Sequence, residues 1–134
     1  MRTGERDLSI LVVDDDPLIR LTLEAALAGH GYRVTTSDDP RAAVAHTDPD
    51  AALVDAIIPG CSLSECLALL GRRDDGSRRP ILVMSGSLTR PDELAGTGVG
   101  YLTKPIPLTE LLDAVEGLVA STSGTVTMGQ EPEQ

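Results

Sequence analysis

Three charged positions each follow an apolar run of strand length: the acidic run Asp14 to Asp16, Asp55, and Lys104. Lys104 is the only lysine of the chain, so it is not one of many solvating lysines. If the apolar runs are neighbouring parallel strands, their carboxyl ends lie side by side, at the crevice where open α/β sheets bind ligands. Several carboxylates at one such edge offer the oxygen ligands that Mg²⁺ prefers.

Phosphoryl transfer is the chemistry that this set of residue types favours. An aspartate oxygen such as that of Asp55 can attack a phosphoryl group and form an aspartyl phosphate. A metal ion and the ammonium of Lys104 would neutralise charge on the transferred oxygens. Ser85 follows the apolar run 80–84, and its hydroxyl can donate to a phosphoryl oxygen in the same crevice. Each signal is weak by itself, whereas their order on successive strand ends is specific.

The elements that must position these residues alternate between strand and helix along the chain. The predicted strands cover residues 8–13, 32–36, 51–54, 81–84 and 99–102. The predicted helices cover 17–28, a short stretch from Pro40 capped by Asp38 or Asp39, a stretch from Ser62 or Ser64 to about Gly71, a short piece at 91–95, and 107–120. This alternation predicts an α/β fold, a doubly wound five-stranded parallel sheet with helices on both faces.

Length and composition favour one domain over residues 8–120, with flexible ends at 1–7 and 121–134. The net charge of −10 and the two aromatic residues argue against binding to nucleic acid or to an anionic membrane.

No apolar stretch is long enough to span a bilayer and the start lacks a signal-peptide centre, so a cytoplasmic location is expected. Cys61 and Cys66 are interpreted as reduced structural thiols, and the mixed-charge segment 72–79 as a solvated connection.

With these residues in this order, the sequence resembles a known family, the receiver domains of two-component response regulators, typified by the chemotaxis regulator. The resemblance covers residues 8–120 and rests on four motifs: residues 10–17, residues 53–60, Ser85 with Gly86, and residues 101–105. It implies a flavodoxin-like strand order of 2-1-3-4-5. It also implies a phosphoprotein that is not an enzyme, with at most slow self-phosphorylation and self-dephosphorylation.

The same resemblance implies a role for each matching residue. Asp14 and Asp15 match the acid pair that holds Mg²⁺, with Asp15 the direct ligand, and Asp16 is a polar neighbour. Asp55 matches the phosphoacceptor and a further metal ligand, and Ile57 would offer its backbone carbonyl to the metal.

Three more positions match residues that respond to the phosphoryl group. Ser85 matches the hydroxyl residue that moves toward it, and Lys104 matches the lysine of the family, whose peptide bond to Pro105 is cis. Tyr101 matches an aromatic residue that turns inward when the hydroxyl moves.

The sequence departs from the family pattern at two places. Cys61, Ser62 and Leu63 stand where the family has Met-Asp-Gly, so a different loop shape is expected after Asp55. Ser85 and Lys104 are also nineteen positions apart, about one helical turn of about 3.6 residues shorter than is usual. This predicts a shortened fourth helix on the face that carries output and dimerisation in the family, so the usual dimer is not predicted.

The leading interpretation is a receiver domain that takes a phosphoryl group on Asp55 from a sensor histidine kinase or a histidine phosphotransfer protein. It would signal to a downstream protein, as yet unidentified, by direct contact. Ile57 and Ser87 occupy positions that control water access in the family, and neither orients water well, so slow self-dephosphorylation is predicted. Three alternatives stay open: a receiver-like module that works without phosphorylation, a receiver excised from a hybrid kinase, and a metal-dependent phosphohydrolase.

Overall fold

One parallel sheet forms the centre of the computed structural model, which describes residues 8–120. The segments predicted to be flexible, 1–7 and 121–134, lie outside the described residues. The strands are β1 (Ser9–Val13), β2 (Arg33–Ser37), β3 (Ala51–Asp55), β4 (Ile81–Ser85) and β5 (Gly100–Thr103). Their order is β2-β1-β3-β4-β5 and all pairs are parallel. The predicted fold and strand order are confirmed.

Within residues 8–120, four helices cover the two faces: α1 (Pro17–Ala28), α2 (Pro40–His46), α3 (Leu63–Leu70) and α4 (Leu108–Ala120). Leu23 and Leu27 of α1 pack with Leu111 and Val115 of α4 in one apolar cluster. The other cluster contains buried side chains of α2 and α3: Ala43, Leu63, Cys66 and Leu70. The middle strands contribute to both clusters, because alternate side chains of a strand point to opposite faces.

Three of these helices have an N-cap residue whose side chain accepts a hydrogen bond from a backbone N–H of the first turn. Asp16 caps α1 by accepting from the Leu18 N–H, and Asp39, rather than Asp38, caps α2. Ser62 caps α3 and forms a reciprocal capping box with Glu65. Such caps stabilise a helix by about 1 kcal/mol each.

The segment between β4 and β5 contains a single 3-10 turn, Asp92–Leu94, where a shortened helix was predicted. Pro91 precedes this turn, and Gly96 and Gly98 follow it with φ angles of 73° and 75°. An α-helix cannot continue through such left-handed angles. Leu94 is nevertheless fully buried and holds the segment against the core.

The loop between β3 and α3 has its positive φ angle at Gly60, with φ 81°. Leu63 is the first residue of α3 and needs no left-handed angle. The substitution of Leu63 for the family glycine therefore strains nothing in this loop.

Candidate functional site

The carboxyl ends of β1, β3 and β5 bring Asp14, Asp55 and Lys104 together. The Lys104 Nζ lies 3.0 Å from Asp14 Oδ2 and 3.3 Å from Asp55 Oδ2. Asp14 is fully buried, and the side chains of Asp55 and Lys104 are 15% and 22% exposed. The ammonium thus bridges two carboxylates at the edge of the sheet where the sequence predicted a crevice.

Asp15 completes an acidic cluster with Asp14 and Asp55. One carboxylate oxygen from each of the three residues can be chosen so that all lie within 4.8 Å of one another. Three hard oxygen donors, one of them exposed, fit a Mg²⁺ ion that keeps several of its waters. The cluster carries three negative charges against the one positive charge of Lys104, so it is also electrostatically suited to a cation.

The backbone around Asp14 holds its carboxylate in place. Asp14 Oδ1 accepts a hydrogen bond of 2.9 Å from the Asp16 N–H, and the Asp14 N–H donates to the Ser37 carbonyl. Arg20, one turn into α1, donates from its guanidinium to the Asp14 carbonyl at 2.7 Å. Asp16 caps α1 and is not one of the three carboxylates of the cluster.

Burial and charge shift the protonation of the two groups at the centre of the site. Burial raises the pKa of Asp55 above its ordinary value, and it outweighs the hydrogen bond from the Ile57 N–H and the charge of Lys104, which lower it. For Lys104, burial lowers the pKa, but the hydrogen bond to Asp14 and the charges of Asp55 and Asp14 outweigh it and raise the pKa overall. Lys104 is therefore held in its charged form at neutral pH.

Ile57 lies at the rim of the site. Its N–H donates to Asp55 Oδ1 at 3.3 Å, and its side chain is 76% exposed. This contact fixes the Asp55 carboxylate relative to the loop that follows β3. An apolar side chain at this position offers no hydrogen bond to a water molecule approaching Asp55.

Ser85 ends β4 beside the cluster and is buried. Its Oγ accepts a hydrogen bond of 3.1 Å from the Ser87 N–H, and its carbonyl accepts one of 2.7 Å from the Lys104 N–H. The peptide bond between Lys104 and Pro105 is cis, as the resemblance implied. The hydroxyl of Ser85 and the ammonium of Lys104 are thus carried by adjacent strand ends.

Tyr101 on β5 is half-buried and contacts the segment that follows β4. Its hydroxyl donates to the Ser87 carbonyl and lies 3.2 Å from the Thr89 carbonyl. A cavity of about 620 Å³ opens next to this segment, lined among others by Ser85, Ser87 and Ile57. Any displacement of residues 85–89 would therefore change the hydrogen bonds of the Tyr101 hydroxyl.

Arg79 is a buried charged residue that the sequence interpretation missed. It is 4% exposed, although the segment 72–79 was predicted to be a solvated connection, and that prediction is wrong for this residue. Its guanidinium donates to the carbonyls of Pro49 and Leu70 at 2.8 and 2.7 Å, and it forms an ion pair with Asp48.

Among residues 8–120, no helix is both long and apolar enough to cross a bilayer.

Comparisons with known proteins agree with this geometry. The response regulator receiver domain family matches residues 10–116. The response regulator MprA of Mycolicibacterium vanbaalenii is 36% identical over 121 residues, which are 85% of this chain and 51% of that protein. MprA of Mycobacterium tuberculosis strain H37Rv is 37% identical over 120 residues, 84% of this chain and 51% of that protein. The chain thus spans about half the length of the curated relatives it matches.

Two solved structures are similar over their whole length. Chemotaxis protein CheY4 of Vibrio cholerae has a TM-score of 0.69 and 26% identity, covering 83% of this chain and 98% of that one. The receiver domain of the sensor histidine kinase PA1611 from Pseudomonas aeruginosa has a TM-score of 0.70 and 28% identity, covering 84% and 98%. That receiver holds a magnesium ion coordinated in its active-site cleft.

Proposed function

We propose, since this chain belongs to the response regulator receiver domain family of two-component systems, that Asp55 is its phosphoacceptor. The observation that carries the proposal is the Lys104 ammonium, which lies within 3.3 Å of both Asp14 and Asp55 carboxylates in a cluster with surplus negative charge. Asp14, Asp15 and Asp55, with the Ile57 carbonyl, would hold Mg²⁺ as the cofactor.

The reaction transfers a phosphoryl group from a phosphohistidine to an Asp55 carboxylate oxygen. The new P–O bond forms as the P–N bond breaks, and the electron pair of that bond leaves with the imidazole of the donor. Lys104 donates a hydrogen bond to a phosphoryl oxygen, and Ser85 donates a second one after its hydroxyl turns toward Asp55. Mg²⁺, when bound, supplies positive charge that offsets the charge of the transferred oxygens.

The donor in this proposal is a sensor histidine kinase or a histidine phosphotransfer protein. Exposed apolar side chains near the site support a protein donor: Leu18, at the start of α1, is 68% exposed and lines one cavity together with Lys104 and Ile106. Apolar side chains at the centre of a contact supply much of its affinity. In this proposal the exchange takes place in the cytoplasm, with which the free thiols of Cys61 and Cys66 are compatible.

Output in this proposal follows the contacts of Ser85. When its hydroxyl turns toward a phosphoryl group, the hydrogen bond from the Ser87 N–H is lost, and the segment held by Tyr101 shifts. The surface around Tyr101 then changes and is read by a downstream protein. The acidic cluster and Lys104 favour this function over a module that works without phosphorylation, which needs neither.

Slow self-dephosphorylation belongs to the same proposal. Ile57 is exposed at the rim and cannot position water, and the Ser87 hydroxyl is engaged with the Thr89 carbonyl and N–H. Replacing Ile57 by Asn adds a group that can orient water, and the phosphorylated protein should then lose phosphate several-fold faster. An unchanged rate in Ile57→Asn would remove this part of the proposal and leave the phosphoacceptor role intact.

Intact-protein mass spectrometry after incubation with Mg²⁺ and acetyl phosphate tests the proposal. We expect one adduct of about 80 Da, absent from Asp55→Asn, absent when EDTA replaces Mg²⁺, and removed by hydroxylamine. An adduct that persists in Asp55→Asn would place the acceptor elsewhere. Absence of any adduct, both with acetyl phosphate and with a panel of phosphorylated histidine kinases, would favour the phosphorylation-independent module. Turnover of small phosphate esters would instead favour the phosphohydrolase.

A further inference from the structure

Cys61 and Cys66 lie in direct contact inside the domain. Their Sγ atoms are 3.2 Å apart, both thiols are free, and the residues are 7% and 1% exposed. Neither thiol takes part in the phosphoacceptor site. A disulfide bond is about 2.05 Å long, so the two sulfurs need to approach by little more than 1 Å to be joined.

The start of α3 explains why the two thiols meet. Ser62 is the N-cap, so Cys61 occupies the position before the cap and Cys66 the fourth position of the helix. These two positions normally hold a pair of apolar side chains that fix the angle at which the chain enters a helix. The reciprocal bonds between Ser62 and Glu65, of 2.9 and 3.1 Å, hold the geometry on the other side. Here the apolar pair is made of two cysteines.

We propose that Cys61 and Cys66 are a modification site, at which a hydroperoxide oxidises the two contacting thiols to a reversible intrachain disulfide. The inference is independent of the proposed function, because it concerns two side chains outside the acidic cluster. It assigns a chemistry to a motif, Cys-Ser-Leu-Ser-Glu-Cys at 61–66, that phosphoryl transfer does not use.

The reaction balances with hydrogen peroxide as the oxidant. Cys61, the more exposed of the two, attacks one peroxide oxygen, the O–O bond breaks, and a sulfenic acid and water are formed. The Cys66 sulfur then attacks the Cys61 sulfur, the S–S bond forms, and the hydroxyl leaves as a second water after taking up the Cys66 proton. Two thiols have lost two electrons, and one peroxide has been reduced to two waters.

The local environment assigns the two steps to different cysteines. Burial, followed by the hydrogen bond to Cys61, raises the pKa of the Cys66 thiol to about 12, so Cys66 is a poor first nucleophile. Its sulfur lies 3.2 Å from the Cys61 sulfur, the atom it must attack in the second step. Cys61 is therefore the site of first oxidation and Cys66 the resolving residue.

A disulfide at this position would tie the loop after β3 to α3. Cys61 also pairs with Ile58 through a backbone bridge in the turn that contains Gly60. The crosslink closes the loop from Cys61 to Cys66 around the capping box. We expect slower amide exchange in residues 58–66 of the oxidised protein, because opening of this turn is restricted.

Intact mass spectrometry of the full chain titrated with hydrogen peroxide tests the proposal. We expect a loss of about 2 Da, together with loss of both alkylation sites under denaturing conditions and their recovery with dithiothreitol. Cys66→Ser should instead stop at a Cys61 product with a gain of about 16 or 32 Da, since no resolving thiol is present. Cys61→Ser should react with peroxide at least several-fold more slowly than Cys66→Ser, because its remaining thiol is the more buried.

Three outcomes would overturn the inference. One is oxidation of the wild type to sulfinic acid without any loss of 2 Da, and another is a wild type that stays fully alkylatable in excess peroxide. The third is a bridge that forms only between two chains, seen as a covalent dimer. Asp55→Asn serves as the matched control and should oxidise like the wild type, so failure of the phosphoacceptor proposal leaves this result unaffected.

Discussion

The two ends of the central sheet each contain a charged group buried in an ion pair, and the two ends differ in charge balance. At the amino end, the Arg79 guanidinium meets one carboxylate, Asp48, and two backbone carbonyls, those of Pro49 and Leu70. Each of its three nitrogens therefore donates a hydrogen bond, and the positive charge is matched by a single negative one. Such an arrangement stabilises a fold and offers nothing to a ligand.

The carboxyl end has the opposite property. The fully buried Asp14 and the half-buried Asp55 share Lys104, and Asp15 adds a third carboxylate. One ammonium cannot neutralise three carboxylates, and burial of Asp55 makes its charge costly, as its raised pKa records. A cation from solution, as proposed above, would relieve the surplus charge. The charges at the amino end are therefore balanced within the protein, whereas those at the carboxyl end would be balanced only by a bound cation.

Removing the cation at the amino end should give the largest effect on stability. Arg79→Met leaves the two buried carbonyls without this donor and removes the ion-pair partner of Asp48, so we expect a loss of roughly 3 kcal/mol in the free energy of unfolding. Urea unfolding measures it, with the exposed neighbour Arg78→Met as the control, for which a loss below about 1 kcal/mol is expected. Added Mg²⁺ should not restore Arg79→Met. Equal losses in both variants would contradict the assignment of Arg79 as the structural cation.

Removing the cation at the carboxyl end should show a smaller effect that a metal can correct. Lys104→Met leaves Asp14 and Asp55 facing each other, so the metal-free protein should lose stability, and millimolar Mg²⁺ should restore most of it. The rate of phosphorylation by acetyl phosphate should still fall about 10²-fold, because a hydrogen-bond donor to the transferred oxygens is gone. Lys104→Arg keeps the charge and should retain metal-free stability better. A Lys104→Met variant that Mg²⁺ does not rescue would make the two ends alike.

The sequence was sufficient for the fold and for the positions of the residues at the carboxyl end. Apolar strand runs alternating with helical patterns determine a parallel sheet, and charged residues directly after such runs must lie at its carboxyl edge. The resemblance supplied the strand order. β2 and β5 begin one residue later than predicted, at Arg33 and Gly100. The limits of a strand depend on pairing with the neighbouring strand rather than on local residue types.

The sequence was insufficient where a contact joins residues that are distant along the chain. Arg79 lies among three other arginines and two aspartates, and composition alone predicted a solvated loop. Its partners at Asp48 and Pro49 are thirty or more positions away in the sequence, and no local pattern predicts these contacts. The contact between Cys61 and Cys66 was local and could have been predicted from the cap at Ser62, had the positions flanking the capping box been considered.

Replacing Asp55 itself should give the smallest effect on stability. A gain in stability would mean that the cost of burying the carboxylate dominates, and a loss would mean that its ion pair with Lys104 dominates. The pKa of Asp55 in the folded protein is raised above its ordinary value of 3.8. The folded state therefore binds the proton more tightly than the unfolded state, and stability falls as pH rises from 3.8 through the raised pKa. At pH 7 without metal this cost is present, so Asp55→Asn, which removes the charge, should melt at a higher temperature than the wild type.

The advantage of Asp55→Asn should vanish below pH 3.8, where the wild-type carboxyl is also neutral. It should reverse in saturating Mg²⁺, because the ion stabilises the wild type more than a variant that has lost a ligand. Melting curves at pH 3, 5 and 7, with EDTA or Mg²⁺, measure all three effects, with Asp113→Asn, an exposed position of α4 outside the cluster, as the control. A lower melting temperature of Asp55→Asn at pH 7 in EDTA would mean that the Lys104 contact outweighs burial. The carboxyl end would then be a completed ion pair like the one at Arg79, and its affinity for a cation would need another source.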